Sequence, residues 1–166
     1  MGKNLYIGCD VGVTGGISGI DDDGNIVFKE RIPRIKTNVD LPALAKLFIH
    51  DDFDNIYVAI EDVHSIYGSS AKSNFSFGQI KGIKIGIVTA LQLPYVLVQP
   101  KTWQKFIWVP SDKVVVGSKT DTKATSLTPA KRLFPKESFL ATERSTKPHD
   151  GIVDSVLIAQ YCKNYF

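Results

Sequence analysis

The stretch Leu5-Tyr6-Ile7-Gly8-Cys9-Asp10 decides the fold, because a continuous apolar run ends here on a carboxylate. A short apolar run bounded by turn residues predicts a buried β-strand, and the glycine-rich residues 12–16 supply that turn. Carboxylates are rarely buried unless they are paired or bind a cation. Asp10, at the end of a core strand, is therefore a candidate functional acid.

Outward from this strand, the sequence predicts an antiparallel meander. The residues Asp22-Asp23-Gly24-Asn25 are a strong hairpin signal between two apolar runs. Asp40 before Leu41-Pro42 is typical of a helix N-cap followed by proline in the first turn. The predicted strands are 3–10, 17–20, 26–31, 55–61 and 95–99, the helices 41–49, 74–91, 101–108, 122–134 and 149–163, and the loops 63–73 and 109–122.

This order predicts an α/β fold. We expect a mixed β-sheet, built from an antiparallel three-strand meander plus parallel strands, with helices on both faces. The chain of 166 residues, 43% of them hydrophobic, suits one domain, residues 1–166. Within the predicted helix 74–91, glycines recur at positions 78, 82 and 86. Their common face predicts close packing against the sheet or against a second subunit.

Three further acids accompany Asp10. Glu61 ends a second apolar strand, and Asp150 and Asp154 lie four residues apart at the start of the last, apolar helix. That spacing places both on one helical face. Carboxylates collected in this way predict a site for hard divalent cations, which suits metal-assisted phosphodiester hydrolysis. Solvation at strand ends, or for Asp150 a favourable helix dipole, would give the same local pattern.

Positive charge is concentrated in residues 99–149, which hold ten Lys and Arg against four Asp and Glu. A basic segment near acidic metal ligands suits a polyanionic substrate, although a solvated, loop-rich surface has a similar composition. His149 is a candidate accessory group or an ordinary helix-start residue. The candidate phosphate contacts are Lys101, Lys105, Lys119 and Lys123.

The two cysteines, Cys9 and Cys162, each lie in an apolar segment, so we expect buried thiols in a reducing compartment. The N-terminus lacks the apolar region of a signal peptide, and no apolar stretch reaches membrane-spanning length. We expect a cytoplasmic protein, and a phage-encoded protein would act in the host cytoplasm.

Taken together, these motifs resemble the RuvC-like Holliday junction resolvases, a branch of the RNase H-like nucleases. The last motif is closest to the phage, poxvirus and organellar members. The residues that carry the resemblance are Ile7-Gly8-Cys9-Asp10-Val11-Gly12, Ile60-Glu61, Gly78-Gln79-Ile80-Lys81-Gly82 and His149-Asp150-Gly151-Ile152-Val153-Asp154-Ser155.

The resemblance implies a homodimeric, metal-dependent endonuclease that nicks opposing strands of a four-way DNA junction. Two Mg²⁺ per site, replaceable by Mn²⁺, would leave 5′-phosphate and 3′-hydroxyl ends. The family's catalytic acids and metal ligands match Asp10, Glu61 and Asp154. Asp150 is the fourth, at a spacing of four residues where bacterial members commonly have three. For the aromatic residue that contacts the junction centre, Tyr67 is the first candidate and Phe75 the second.

Two alternatives stay open at this point. One is an RNase H-like nuclease of broader specificity, acting on flaps, replication forks or RNA–DNA hybrids. The other is a non-catalytic dimer that binds branched DNA. A kinase-like ATPase also begins with Asp-x-Gly, but the chain is too short for its two lobes.

Overall fold

The computed structural model describes residues 2–12, 14–64 and 70–166. Its strands are β1 Asn4–Cys9, β2 Gly16–Asp21, β3 Ile26–Arg31, β4 Arg34–Ile35, β5 Asn38–Val39, β6 Asn55–Glu61, β7 Tyr95–Val98, β8 Val115–Val116 and β9 Lys119–Thr120. Its α-helices are α1 Leu41–Lys46, α2 Ala71–Ala90, α3 Pro100–Ile107, α4 Thr122–Leu133 and α5 Asp150–Tyr165.

A five-stranded mixed sheet in the order β3-β2-β1-β6-β7 forms the centre of the fold. The meander β1-β2-β3 is antiparallel, whereas β6 and β7 run parallel to β1, which confirms the predicted strand arrangement. Cys9 pairs with Ile60 in the β1–β6 register. Asp10 and Glu61 each follow one residue later, so the two acids leave neighbouring strands at the same edge of the sheet.

Helices cover both faces of the sheet, as predicted. On one face α5 packs through residues such as Val156 and Ala159, joined by Trp103 of α3. On the other face α1 contributes Leu44, and α2 contributes Val88. The sheet is therefore buried on both sides, which explains why β1 and β6 read as continuous apolar runs.

The backbone of α5 lies directly against the central strands. A Cβ added to Gly8 of β1 would overlap backbone atoms of Ser155 and Ala159. The hydroxyls of Ser18 and Ser155 share a buried hydrogen bond of 2.7 Å across the same interface. This close approach fixes the position of α5, and with it the two aspartates that α5 carries.

Several local predictions differ from the structure: α1 ends at Lys46 instead of residue 49, and the β4–β5 hairpin was not predicted. Two further differences have a clear cause. Helix α2 begins at Ala71, three residues earlier than predicted, because the Ser70 side chain caps it by accepting from the Ser73 amide. The segment 109–122, predicted as a loop, contains a 3₁₀ turn and the β8–β9 hairpin. Buried Asp112 organises this segment by accepting from the Val109 amide and from the Arg132 guanidinium of α4.

The glycine face of α2, defined by Gly78, Gly82 and Gly86, does not pack against the sheet. A Cβ added at any of the three would meet no atom within 4 Å in the described part of the chain. The expectation of contact with the sheet was wrong, because α2 turns Ile80, Lys84 and Val88 inward instead.

Cys9 and Cys162 are buried free thiols, as predicted. Across residues 2–12, 14–64 and 70–166, no helix has the length and apolar character needed to cross a bilayer.

Candidate active site

Asp10 lies just beyond β1 in a partly buried turn. Its amide donates to the Gly16 carbonyl at 3.0 Å, and its Oδ1 accepts from the Gly12 amide at 2.9 Å. Burial raises the pKa of the Asp10 carboxyl, and the Gly12 amide, Lys84 and His149 oppose that rise. Glycine at position 12 therefore both ends the strand and orients the acid.

Glu61, the last residue of β6, is only 8% exposed. Its Oε1 accepts a hydrogen bond of 3.0 Å from the indole Nε1 of Trp103, which is fully buried. Burial is the main cause that raises the pKa of Glu61 to about 8, and the charges of Asp10 and Asp154 add to it. Trp103 is thus a core residue, as predicted, and also holds the carboxylate in place.

Asp154 projects from the first turns of α5 toward the same point. Burial, followed by the charge of Asp10, raises its pKa to about 7, and a hydrogen bond with Ser126 opposes the rise. Its Oδ1 is buried and has no hydrogen-bond partner among the described residues. An unsatisfied buried oxygen is unusual in native proteins and calls for an explanation such as an absent ion.

Asp150, one turn earlier, occupies the exposed rim of the site. Its Oδ2 lies 2.6 Å from Nζ of Lys123, and half of its side chain is exposed. In this arrangement a predicted metal ligand and a predicted phosphate contact bind each other.

The structure therefore brings these acids close enough that Asp10 raises the pKa of both Glu61 and Asp154, with Asp150 beside them. Among the residues that the structure describes, however, no group of three or more His, Cys, Asp and Glu side chains is spaced to hold a metal ion.

Lys84 is a residue of this site that the sequence analysis missed. It lies on α2, is fully buried, and donates from Nζ to the Asp10 carbonyl oxygen at 2.5 Å. Burial lowers the pKa of Lys84, while the charges of Cys9, Asp10 and Glu61 oppose that shift. The signal was present in the sequence, since Lys84 falls in helical register between Ile80 and Val88 on the buried face.

The other predicted residues lie farther out or elsewhere. Lys101 and Lys105 are exposed on α3, and Lys119 is exposed on β9, so their contact with DNA stays a prediction. Tyr67 lies outside the described residues, and the side chain of the second aromatic candidate, Phe75, is 72% exposed on α2. His149 caps α5, where its Nδ1 accepts from the Ile152 amide at 3.3 Å.

A mixed sheet with this strand order, covered by helices on both faces, is the RNase H-like class of fold. Within that class the fold is RuvC-like. A structure of RuvC from Thermus thermophilus superimposes with a TM-score of 0.60 at 11% identity, covering 93% of this chain and 90% of that one. The same protein in complex with a Holliday junction substrate gives a TM-score of 0.57 at 9% identity, with the same coverage. No family model and no curated protein matches the sequence.

Proposed function

We propose that this protein is a divalent-metal-dependent endonuclease that hydrolyses DNA phosphodiesters at four-way or other branched junctions. The convergence of Asp10, Glu61 and Asp154 at one edge of the sheet carries the proposal, because all three have raised pKa values. Perturbed carboxylates collected at strand ends are a feature of catalytic sites more than of structural ones. The RuvC-like fold supports the same conclusion.

The chemistry of the donor set fits Mg²⁺, with Mn²⁺ as a substitute. Hard divalent cations bind carboxylate oxygens, and the unsatisfied Oδ1 of Asp154 is a buried oxygen of this kind. Asp10, Glu61 and Asp154 would hold the ions, with Asp150 joining from the rim. When bound, the ions supply an activated water and neutralise charge on the attacked phosphate and the leaving oxygen.

The chain's own residues position this centre. The Gly12 amide orients the Asp10 carboxylate, and the Trp103 indole orients Glu61. Lys84 fixes the Asp10 backbone by donating from Nζ to the Asp10 carbonyl oxygen. Because these contacts are buried or part-buried, they hold the acids before substrate arrives, which lowers the cost of reaching a productive arrangement. Lys123, now paired with Asp150, would exchange that carboxylate for a DNA phosphate once a cation occupies the site.

We propose a homodimer built on the glycine face of α2. Glycines at positions 78, 82 and 86 leave a flat helix surface that no atom of the described chain covers. Two copies related by a two-fold axis would bring these faces together and direct two active sites at symmetric strands. A four-way junction has such symmetry, which is why the dimer belongs with the proposed substrate.

A substrate panel tests the specificity. We would measure initial rates on a four-way junction, a flap, a linear duplex and an RNA–DNA hybrid in Mg²⁺, and map the ends for 5′-phosphate and 3′-hydroxyl. Paired symmetric nicks confined to the junction are expected. Comparable rates on flap and junction would indicate an RNase H-like nuclease of broader specificity. Binding without hydrolysis would indicate a non-catalytic DNA-binding dimer.

A further inference from the structure

We call the group of Asp10, Glu61, Asp150 and Asp154 the acidic centre. A surface groove of about 310 Å³ opens beside it. We call it the arginine groove, because Arg31, Arg34 and His149 line it together with the backbone around Gly15. No Asp or Glu is among its lining residues, and no lysine of the basic segment reaches it. It is therefore a second source of positive potential, separate from the lysines that the sequence singled out.

The groove is continuous with the turn that holds Asp10. The amide of Ile32, which follows β3, donates to the Gly15 carbonyl at 3.1 Å, and the Asp10 amide donates to Gly16 at 3.0 Å. His149 immediately precedes Asp150. A group bound in the groove would thus lie beside the turn that carries Asp10 and beside the start of α5.

The walls of the groove are fixed by backbone packing. A Cβ on Gly151 would lie 2.6 Å from the Gly15 carbonyl carbon, so the first turn of α5 rests on that turn with no room for a side chain. His149 is held as the N-cap, and its Nδ1 accepts from the Ile152 amide. A neutral imidazole that accepts at Nδ1 carries its proton on Nε2, which makes Nε2 the donor of this ring.

Two guanidinium cations, Arg31 and Arg34, line the groove together with the His149 imidazole. The Arg34 guanidinium donates to the Thr37 carbonyl at 2.8 Å, which orients it within the β4–β5 hairpin. Like charges held together at a surface repel each other and favour an anionic ligand, and arginine geometry suits phosphate oxygens.

We propose that the arginine groove binds a backbone phosphate of the DNA strand whose neighbouring phosphodiester lies at the acidic centre. Arg31 and His149 are positioning residues, which contact the substrate away from the bond that breaks. The proposal rests on the proposed function for the identity of the strand. It extends the DNA contact surface from α3, α4 and β9 to β3 and the β4–β5 hairpin.

The test is DNA binding without hydrolysis. Dissociation constants for a synthetic four-way junction are measured over a series of NaCl concentrations in chelator for the wild type, Arg31→Gln and His149→Asn. Asparagine keeps an N-cap acceptor but removes the Nε2 donor. The matched control is Lys46→Gln, which removes an exposed cation from α1 on the opposite face of the sheet. Circular dichroism verifies that each variant is folded.

Arg31→Gln should reduce the slope of log affinity against log salt by about 1, and weaken binding about eightfold at 0.1 M salt. His149→Asn should weaken binding with little change of slope, and Lys46→Gln should match the wild type. Equal affinities and equal salt slopes for Arg31→Gln and Lys46→Gln would contradict phosphate binding in the arginine groove. If binding depends on Arg31 but no hydrolysis occurs in Mg²⁺, the proposed nuclease function is wrong and phosphate binding in the groove stands. A wild type that binds no DNA would contradict both proposals.

Discussion

Lys84 illustrates how a single residue determines the chemistry of this centre. A lysine with no exposed surface is costly unless it is paired, and here it meets the Asp10 carbonyl and the charges of Asp10 and Glu61. The same low-polarity surroundings raise the pKa values of the acids. The Lys84 side chain therefore neutralises part of the negative charge of the carboxylates. A divalent cation would neutralise the remainder.

Replacing Lys84 by methionine should destabilise the metal-free protein. The Asp10 carbonyl loses its donor and the acids lose a buried counter-charge, for a loss of about 3 kcal/mol in the free energy of unfolding. Urea denaturation in chelator measures it. Lys81→Met is the matched control, because Lys81 lies on the same helix and pairs with Asp62 outside the cluster. Equal stability of the two variants would contradict this account of Lys84.

Stability of the metal-free protein should fall as pH rises from about 4 to about 8 and level off above that. Glu61, with an ordinary pKa of 4.5, and Asp154, with one of 3.8, have pKa values of about 8 and about 7 in the folded chain. Between the ordinary values and these raised values the folded state holds protons that the unfolded state has released, so raising pH over that interval favours unfolding. Denaturation midpoints across this range in chelator check it, and Glu61→Gln should flatten the profile. A midpoint that rises with pH would contradict it.

At the scale of elements, the sequence predicted those strands and helices whose formation depends on residues adjacent in the chain. Apolar runs ending in Asp10 and Glu61 gave β1 and β6, and parallel pairing of the two was enough to place the acids together. The Asp150–Lys123 ion pair and the arginine groove could not be predicted in this way. They join elements far apart in sequence through side-chain contacts, for which no local pattern exists.

Helix α5 depends on glycine at its crossing with β1. Gly8→Ala should lower stability by several kcal/mol and move Asp154, because the new methyl group would overlap the α5 backbone. Thr102→Ala is the control, since Thr102 is exposed on α3 away from this crossing and alanine favours a helix. Thermal denaturation of the two variants distinguishes them. A stable Gly8→Ala protein with unchanged metal affinity would contradict this role of the crossing.

At the scale of the whole molecule, the proposed dimer depends on the glycine face of α2. Gly82→Leu should convert a dimer into a monomer, because a large side chain would hold two helices apart, while the fold tolerates it in open space. Analytical ultracentrifugation at micromolar concentration measures this. Leu133→Ser, on the surface of α4, is a control outside the proposed interface. A wild type that is monomeric at that concentration, or a variant that stays dimeric, would contradict the interface.

The charge distribution of the molecule suits a nuclease on a branched polyanion. The acidic centre at the sheet edge has the arginine groove on one side and Lys123 of α4 paired with Asp150, and further exposed lysines lie on α3 and β9. Such a centre would weaken DNA binding until cations occupied it, so Mg²⁺ should tighten substrate binding. The central claim is therefore that these acids act through bound divalent metal.

The most direct test compares two adjacent acids. Glu61 points into the centre, whereas Asp62 pairs with Lys81 away from it. We would measure single-turnover nicking of a four-way junction with Mg²⁺ and with chelator for the wild type, Glu61→Gln and Asp62→Asn. The account predicts Mg²⁺-dependent nicking that Glu61→Gln abolishes and Asp62→Asn retains. Nicking in chelator, or equal rates for the two variants, would contradict it.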